Sequence, residues 1–500
     1  MTVPLPRRVR GVVPPRTVGR FTADVRDYVQ HVISGVWEFG ALLAAAELDI
    51  ADHLAHAPLT VAELADRCHA HPDSLRRVLR TLAPYRLARP VAGERWKLTA
   101  IGEVLRGDAE GTLRRAVMER ADPEAWDDVR TWPTRITAGR SIRPWTGRTG
   151  RNAGALRPPS AAALETLGVG LWDTIKNVDD FGALLVAAQL DLIARLKQPT
   201  ELQELAKEYD ADPESLRWML NRLNSYGLLS SPGRSVYALR KAGETLQRDR
   251  PDSTRPAVLM NGQELWWDML RRLPATVRAG RPALPDGITS TYAWLDDNPE
   301  ALQLFHAFMA TRTHPIARVL ADDAFPQGST VVDVGGGQGT IIAAILQAHP
   351  TCRGVLLERP RVAERARSHL QEHGLLDRCT PQAGDFFTDV PAGGHTYVLG
   401  SVLHNWPDQQ AQQILARVHD AMARTPGPSR LLCIDMLLPV GDEPHPGLRL
   451  DMRMCSLFGE GQERTKDEYD ALLTRAGFQI HRQARLPHTL TLTEAVPATA

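Results

Sequence analysis

The stretch Thr330-Val331-Val332-Asp333-Val334-Gly335-Gly336-Gly337-Gln338-Gly339-Thr340 constrains this chain more than any other. β-Branched residues run through an acid, the chain turns through glycines, and an apolar helical segment follows from Ile341 to Gln347. Strand, tight turn and helix cradle a nucleotide-like ligand at the carboxyl edge of a parallel sheet. The spacing is D-x-G-x-G-x-G. A dinucleotide fingerprint, G-x-G-x-x-G, calls for Gly or Ala where Thr340 stands. The loop therefore meets its ligand with bare backbone but is spaced for something other than a pyrophosphate. Read alone, such a turn also serves as an ordinary strand-to-helix bend, and the residues downstream decide.

The next apolar run, Gly354 to Leu357, closes on Glu358. A carboxylate at the end of a second strand accepts from both hydroxyls of a ribose, although a solvated strand end needs no such task. Gly384-Asp385-Phe386-Phe387 brings another acid and an aromatic to the same edge, suited to the amino group and face of adenine. A fourth strand, Thr396 to Leu403, runs into His404-Asn405-Trp406-Pro407-Asp408. A fifth, Arg430 to Leu438, carries Asp435 inside an apolar run, where an acid is costly without a partner or a task. Thr465 and Glu468 read as the capping pair of a helix from Lys466.

With VVDVGGGQG, LLERP, GDFF, VLHNWPD, LDMRM and GQERTKDEYDALLTRAGF in this order over about the last 215 residues, the chain resembles the S-adenosylmethionine-dependent O-methyltransferases of small aromatic molecules. These enzymes occur in plants and in bacterial antibiotic pathways. The resemblance implies a C-terminal α/β, Rossmann-like class I methyltransferase domain with S-adenosylmethionine as cofactor. It implies that Asp333, Gly335, Gly337, Glu358, Gly384, Asp385, Phe386 and Ser401 form the cofactor site. It also implies that His404 is the general base, flanked by Asp435 and Glu463. Phe305, Met309, Asn405, Met452 and Phe458 fall where the family builds its substrate pocket, and each Met is equally suited to filling a core. Two departures stand out. The family often has Asp after the His, where this chain has Asn405. Plant members place a Lys where Gly400 stands, which removes one cofactor contact.

Methyl transfer from a sulfonium is an in-line displacement, so the enzyme must align donor and acceptor and ready the nucleophile. A phenol of pKa near 10 is ionised in only about one molecule in a thousand at pH 7. A His of ordinary pKa near 6.5 is suited to taking that proton, help worth about 10²–10⁴-fold. Glu463 is placed to bond the other ring nitrogen and fix the tautomer. Asp435 is placed to bound the pocket or hold a substrate hydroxyl. Relatives that keep the cofactor fold yet methylate carbon or nitrogen, decarboxylate or hydroxylate form the alternative reading.

The front of the chain repeats itself. Phe39-Gly40-Ala41-Leu42-Leu43 recurs as Phe181-Gly182-Ala183-Leu184-Leu185, Glu63-Leu64-Ala65 as Glu204-Leu205-Ala206, and Pro72, Tyr85 and Trp126 as Pro213, Tyr226 and Trp267. Two copies at so long a period indicate a domain duplication, not a solenoid. Each copy reads as helices followed by a hairpin, a mainly α-helical winged helix, at about 21–140 and 161–285. The catalytic domain follows at 286–500. Residues 1–20 and the Gly-, Pro- and Arg-rich 141–160 read as a disordered end and a flexible linker. In the family one such domain intertwines with its twin in a homodimer. By position the second copy stands where the family's usual one does and the first is an extra, expected to pack on the second and give either a monomer that is a pseudo-dimer in cis or a homodimer.

A winged helix also suggests a DNA-binding regulator, and Arg76, Arg77, Arg80 and Arg86 are spaced to reach phosphates. With 59 acidic and 59 basic residues the chain lacks the basic balance of a nucleic-acid binder. Five scattered Cys make neither a disulfide framework nor a zinc site, so no metal is expected. There is no signal core and no run of 18 apolar residues, so the expectation is a cytoplasmic enzyme with no membrane partner.

Overall fold

The computed structural model describes residues 25–109, 112–142, 144, 169–250, 252–459, 461–486 and 489–498. The expected N-terminal segment, 1–20, lies outside them, as does the expected linker apart from residues 141, 142 and 144.

Two front units share one order of elements. In the first, the helix Val25–Glu47 leads to β1 (Leu59–Thr60), the helices Val61–Cys68 and Pro72–Leu82, and the hairpin β2 (Ala88–Val91) and β3 (Arg95–Leu98). The helices Leu113–Arg120 and Pro123–Ile136 close it. Local chemistry sets these boundaries. Thr60 and Glu63 form a reciprocal capping box, and Pro72 opens its helix at a position where a missing N–H costs nothing. The second unit runs from the helix Val169–Gln189 through β4 (Thr200–Glu201) and the helix Pro213–Ser225 to β5 (Leu229–Gly233) and β6 (Val236–Leu239). The helices Arg255–Asn261, Glu264–Arg271 and Leu273–Ala279 end it. The small antiparallel sheets have matching orders, β1-β3-β2 and β4-β6-β5.

Contacts between the units come in mirrored pairs. The Trp126 indole donates to the Trp267 carbonyl at 3.0 Å, and the Trp267 indole donates to the Trp126 carbonyl at 3.0 Å. The two rings stack at 4.4 Å, with Phe39 on Trp126 at 5.4 Å and Phe181 on Trp267 at 5.3 Å. The amide of His71 donates to the Val277 carbonyl, and that of Asp212 to the Ile136 carbonyl. Gly40 and Gly182 occupy matching places in the two long helices. A Cβ on Gly182 would lie 2.6 Å from the Trp132 ring, and one on Gly40 would lie 3.2 Å from Leu273. The repeated Gly thus lets each long helix meet the other unit closely. The apolar stripe Phe39, Leu42, Leu43, Ala46 and Ile50 is buried in the shared core.

The last part of the chain is built on an eight-strand sheet, seven of whose strands lie in the order β13-β14-β11-β10-β7-β8-β9. Its strands are β7 (Thr330–Val334), β8 (Arg353–Glu358), β9 (Cys379–Ala383), β10 (Thr396–Gly400), β11 (Arg430–Leu438), β13 (Phe478–Arg485) and β14 (Leu490–Pro497). The short β12 (Arg464–Thr465) pairs with the end of β11. The strands from β11 to β9 are parallel, while β14 pairs antiparallel with β11 and with β13. Helices cover both faces, which is why β7, β10 and β11 are nearly all apolar. β7 has β8 on one side and β10 on the other, so the chain reverses its direction of travel there and opens a crevice at the carboxyl ends.

The first unit also touches this last part directly. Arg449, on the helix Pro446–Leu457, pairs with buried Glu38 at 2.6 Å, and Arg80 pairs with Glu468 at 2.7 Å. The second unit touches the same helix from another side, where the Ser456 hydroxyl donates to the Met269 carbonyl. Among the described residues no helix is long and apolar enough to cross a membrane, and all five Cys are buried free thiols.

Candidate active site

The glycine loop after β7 has the backbone its sequence demands. Gly335, Gly337 and Gly339 all have positive φ, and Gly339 caps the helix Thr340–Ala348. A Cβ on Gly335 would press on Val402 and on the Phe386 ring at 3.2 and 3.3 Å. A Cβ on Gly337 would meet nothing within 4 Å, so the space above that residue is open. Glu358, at the end of β8, accepts from the Gly337 amide at 3.3 Å and the Arg359 amide at 2.8 Å. Burial holds its pKa above the ordinary value against those donors. Asp333 is fully buried beneath the loop. Burial first, and then the charge of Glu358, push it up to about 7. Gly384, Asp385 and Phe386 follow β9. Asp385 is exposed and accepts from the Phe387 amide at 2.9 Å, and Phe386 closes on Gly335.

β10 ends at Gly400, earlier than the expected Leu403, because Ser401 turns into the left-handed region at φ 57°. The next turn, Leu403–Asn405, brings His404 inward. Its ring Nδ1 lies 2.7 Å from Oε1 of Glu463. A carboxylate accepts, so Nδ1 carries the proton, and Nε2 is the basic nitrogen of the neutral ring. Burial lowers the imidazole pKa, but Glu463, with help from Asp435, outweighs both burial and Arg312 and leaves it above the ordinary value. Asp435 is buried and accepts from the Tyr469 hydroxyl at 2.7 Å. Burial is the main cause that pushes it up to about 6.

The loop carrying Glu463 is stitched to His404 from several directions. The Gln462 amide donates to the His404 carbonyl at 2.8 Å, and the Glu463 amide donates to Asp451 at 2.9 Å. Arg77, from the first front unit, donates to the Gly461 carbonyl at 2.6 Å and lies 3.6 Å from Asp451. Asn405 donates its side-chain amide to the Ser401 carbonyl at 3.0 Å, so this residue holds the turn.

A cavity of about 300 Å³ opens between the glycine loop and His404. Gly335, Gly337, Glu358, Ser401, His404, Asn405, Phe305, Met309 and Phe458 line it. Asp333, Asp435 and Glu463 stand behind the lining, and Gly384, Asp385 and Phe386 lie beyond it. Met452 does not reach it. It is fully buried among the front helices, while Met454, two residues on, faces the cavity. Sequence reasoning missed Trp266, Tyr292, Arg312 and Arg453, which also line it. Arg312 carried a readable signal. It lies one turn after Met309 and two after Phe305, on the same face of the helix Pro299–Ala321. Arg453 sits within the quoted LDMRM, but only the packing of its helix turns it inward. No cluster among the described residues is suited to a metal ion.

The sequence model of the O-methyltransferase domain matches residues 271–479. That of the O-methyltransferase dimerisation domain matches residues 30–107, inside the first front unit. A phenazine O-methyltransferase of Lysobacter antibioticus is 35% identical over 353 residues, 69% of this chain and 98% of that protein. Among solved structures, a methyltransferase of calicheamicin biosynthesis with S-adenosylhomocysteine bound aligns at TM-score 0.60 with 30% identity, over 67% of this chain and 99% of that one. An O-methyltransferase of neocarzinostatin biosynthesis, solved with S-adenosylmethionine and 2-hydroxy-5-methyl naphthoic acid, aligns at TM-score 0.52 with 29% identity, over 63% and 95%.

Proposed function

The chain belongs to the S-adenosylmethionine-dependent O-methyltransferases, and from that premise we propose that it methylates a phenolic hydroxyl of a small aromatic secondary metabolite with His404 as general base. The observation that carries this reading is the His404–Glu463 pair at the wall of an aromatic-lined cavity whose other wall is the glycine loop. The donor fits that loop. The space above Gly337 is open, and the Glu358 carboxylate stands beside it with capacity for a ribose. When bound, S-adenosylmethionine supplies a methyl group activated by the positive sulfonium. Phe305, Met309 and Phe458 hold an aromatic ring by its faces. His404 takes the hydroxyl proton at Nε2, and Glu463 stabilises the resulting imidazolium through Nδ1. Asp435, linked to Tyr469, adds negative charge behind the ring. His404→Ala is expected to lower kcat by about 10²–10⁴-fold while S-adenosylhomocysteine binding by calorimetry is kept. Undiminished methyl transfer in that variant would remove the base from His404.

We also infer that residues 21–140 and 161–285 are two winged helices preceding a catalytic domain at 286–500. The first would stand in cis where a second subunit would stand in a homodimer. The mirrored Trp126 and Trp267 contacts support this, because self-complementary pairing of this kind is what a twofold interface between subunits produces. The mass by sedimentation equilibrium tests it.

A further inference from the structure

Two arginines line the cavity with no hydrogen-bonded or ion-paired partner among the described residues. Arg312 comes from the helix Pro299–Ala321 and Arg453 from the helix Pro446–Leu457. Among the described residues neither makes a hydrogen bond or an ion pair. The one specific contact is the Arg453 guanidinium over the Phe308 ring at 5.0 Å. Elsewhere in the same region, cations are matched: Arg77 with Asp451, Arg449 with Glu38, Arg464 with Asp408. Both guanidinium groups are half-buried at the cavity wall, and a cation partly withdrawn from water gains from an anionic partner there. Burial first, and then the charge of Arg312, bring Arg453 down to about 9. Arg312 is also lowered by burial. Glu463 attracts both guanidinium groups, but its Oε1 is committed to His404.

Resting on the methyl-transfer reading, we propose that Arg312 and Arg453 form a carboxylate site, so that the acceptor is an aromatic hydroxy acid whose hydroxyl meets His404. Guanidinium forks bond carboxylates through paired N–H groups, and such bonds strengthen where water is excluded. The same helices present Phe305, Met309 and Met454 to the cavity, so one ligand meets apolar walls and the cation pair together. The other source of a carboxylate is the methionine part of the donor. The pair is assigned to the acceptor because both arginines share their helices with the apolar lining Phe305, Met309 and Met454 and lie within reach of the charge of Glu463, the partner of His404.

Calorimetric titration with 3-hydroxy-2-naphthoic acid and its uncharged amide, with and without saturating S-adenosylhomocysteine, tests the assignment. The acid is expected to bind at least tenfold tighter than the amide to the unaltered protein. Arg312→Met and Arg453→Met are expected to erase most of that preference while binding S-adenosylhomocysteine normally, which also reports that they are folded. Equal binding of acid and amide, or no measurable binding of the acid, would overturn the proposal. So would variants that stay folded by circular dichroism but lose affinity for S-adenosylhomocysteine instead of the acid, since the pair would then hold the donor. Failure of the unaltered protein to bind S-adenosylhomocysteine would sink the methyl-transfer reading separately, because the preference for the acid is also read without it.

Discussion

Glu463 sets the pH at which His404 is able to act. The imidazole pKa stands above the ordinary 6.5, and only the neutral ring accepts a proton. The acid limb of kcat/KM is therefore expected above pH 6.5. Glu463→Gln removes the charge that outweighs burial, so the limb should move to lower pH by about 1 unit or more, and the plateau should fall because the tautomer is no longer held. A limb that stays in place would mean that the titrating group is not His404. Stability runs the other way. A histidine whose folded pKa is raised stabilises the fold below its unfolded pKa and loses that contribution as pH rises through the folded value. The bond between His404 and Glu463 was legible because both residues lie in short motifs with strong precedent. Arg453 was not, since an arginine between two methionines reads as a solvated residue until the helix is packed.

At the scale of elements, the strand edges were the most legible feature. Apolar runs ending in Asp333 and Glu358 became β7 and β8 at nearly the expected bounds, because strands covered on both faces need continuous apolar sequence. The capping pair Thr465 and Glu468 is found as read. The early end of β10 at Ser401 was not legible, because a left-handed serine carries no local signal and is held by the Ile434 carbonyl on the neighbouring strand. The glycine loop permits a paired test. Gly335→Ala meets both a left-handed backbone and two close side chains, and is expected to lower stability by about 1–3 kcal/mol. Gly337→Ala meets only the backbone cost, about 1 kcal/mol, but sets a methyl group in the cradle. Thermal melts and calorimetry should show the larger loss of Tm for Gly335→Ala. Gly337→Ala should show a loss of S-adenosylhomocysteine affinity, about tenfold, beyond its loss of stability.

At the scale of the molecule, relatives align over about two thirds of this chain and nearly the whole of themselves, so about a third of this chain has no counterpart in those alignments. The first front unit, the one that the dimerisation-domain model matches, packs on the second through the mirrored tryptophans and on the catalytic part through Glu38, Arg77 and Arg80. The helix whose arginines suggested phosphate contacts directs two of them at the Gly461 carbonyl and Glu468. With that face covered from within, the chain is expected to sediment at its own mass, 55.2 kDa, at micromolar concentration. A clear dimer mass would count against the cis arrangement. The sequence by itself determined the elements, the glycine loop, the acids at the strand edges and the repeat, since turns, caps and periodicity act over a few residues. Only the tertiary structure decided which side chains share the cavity and which front unit braces it. Arg312 and Arg453 come together, and Arg77 reaches Asp451, through the packing of helices far apart in the chain, and no local pattern encodes that.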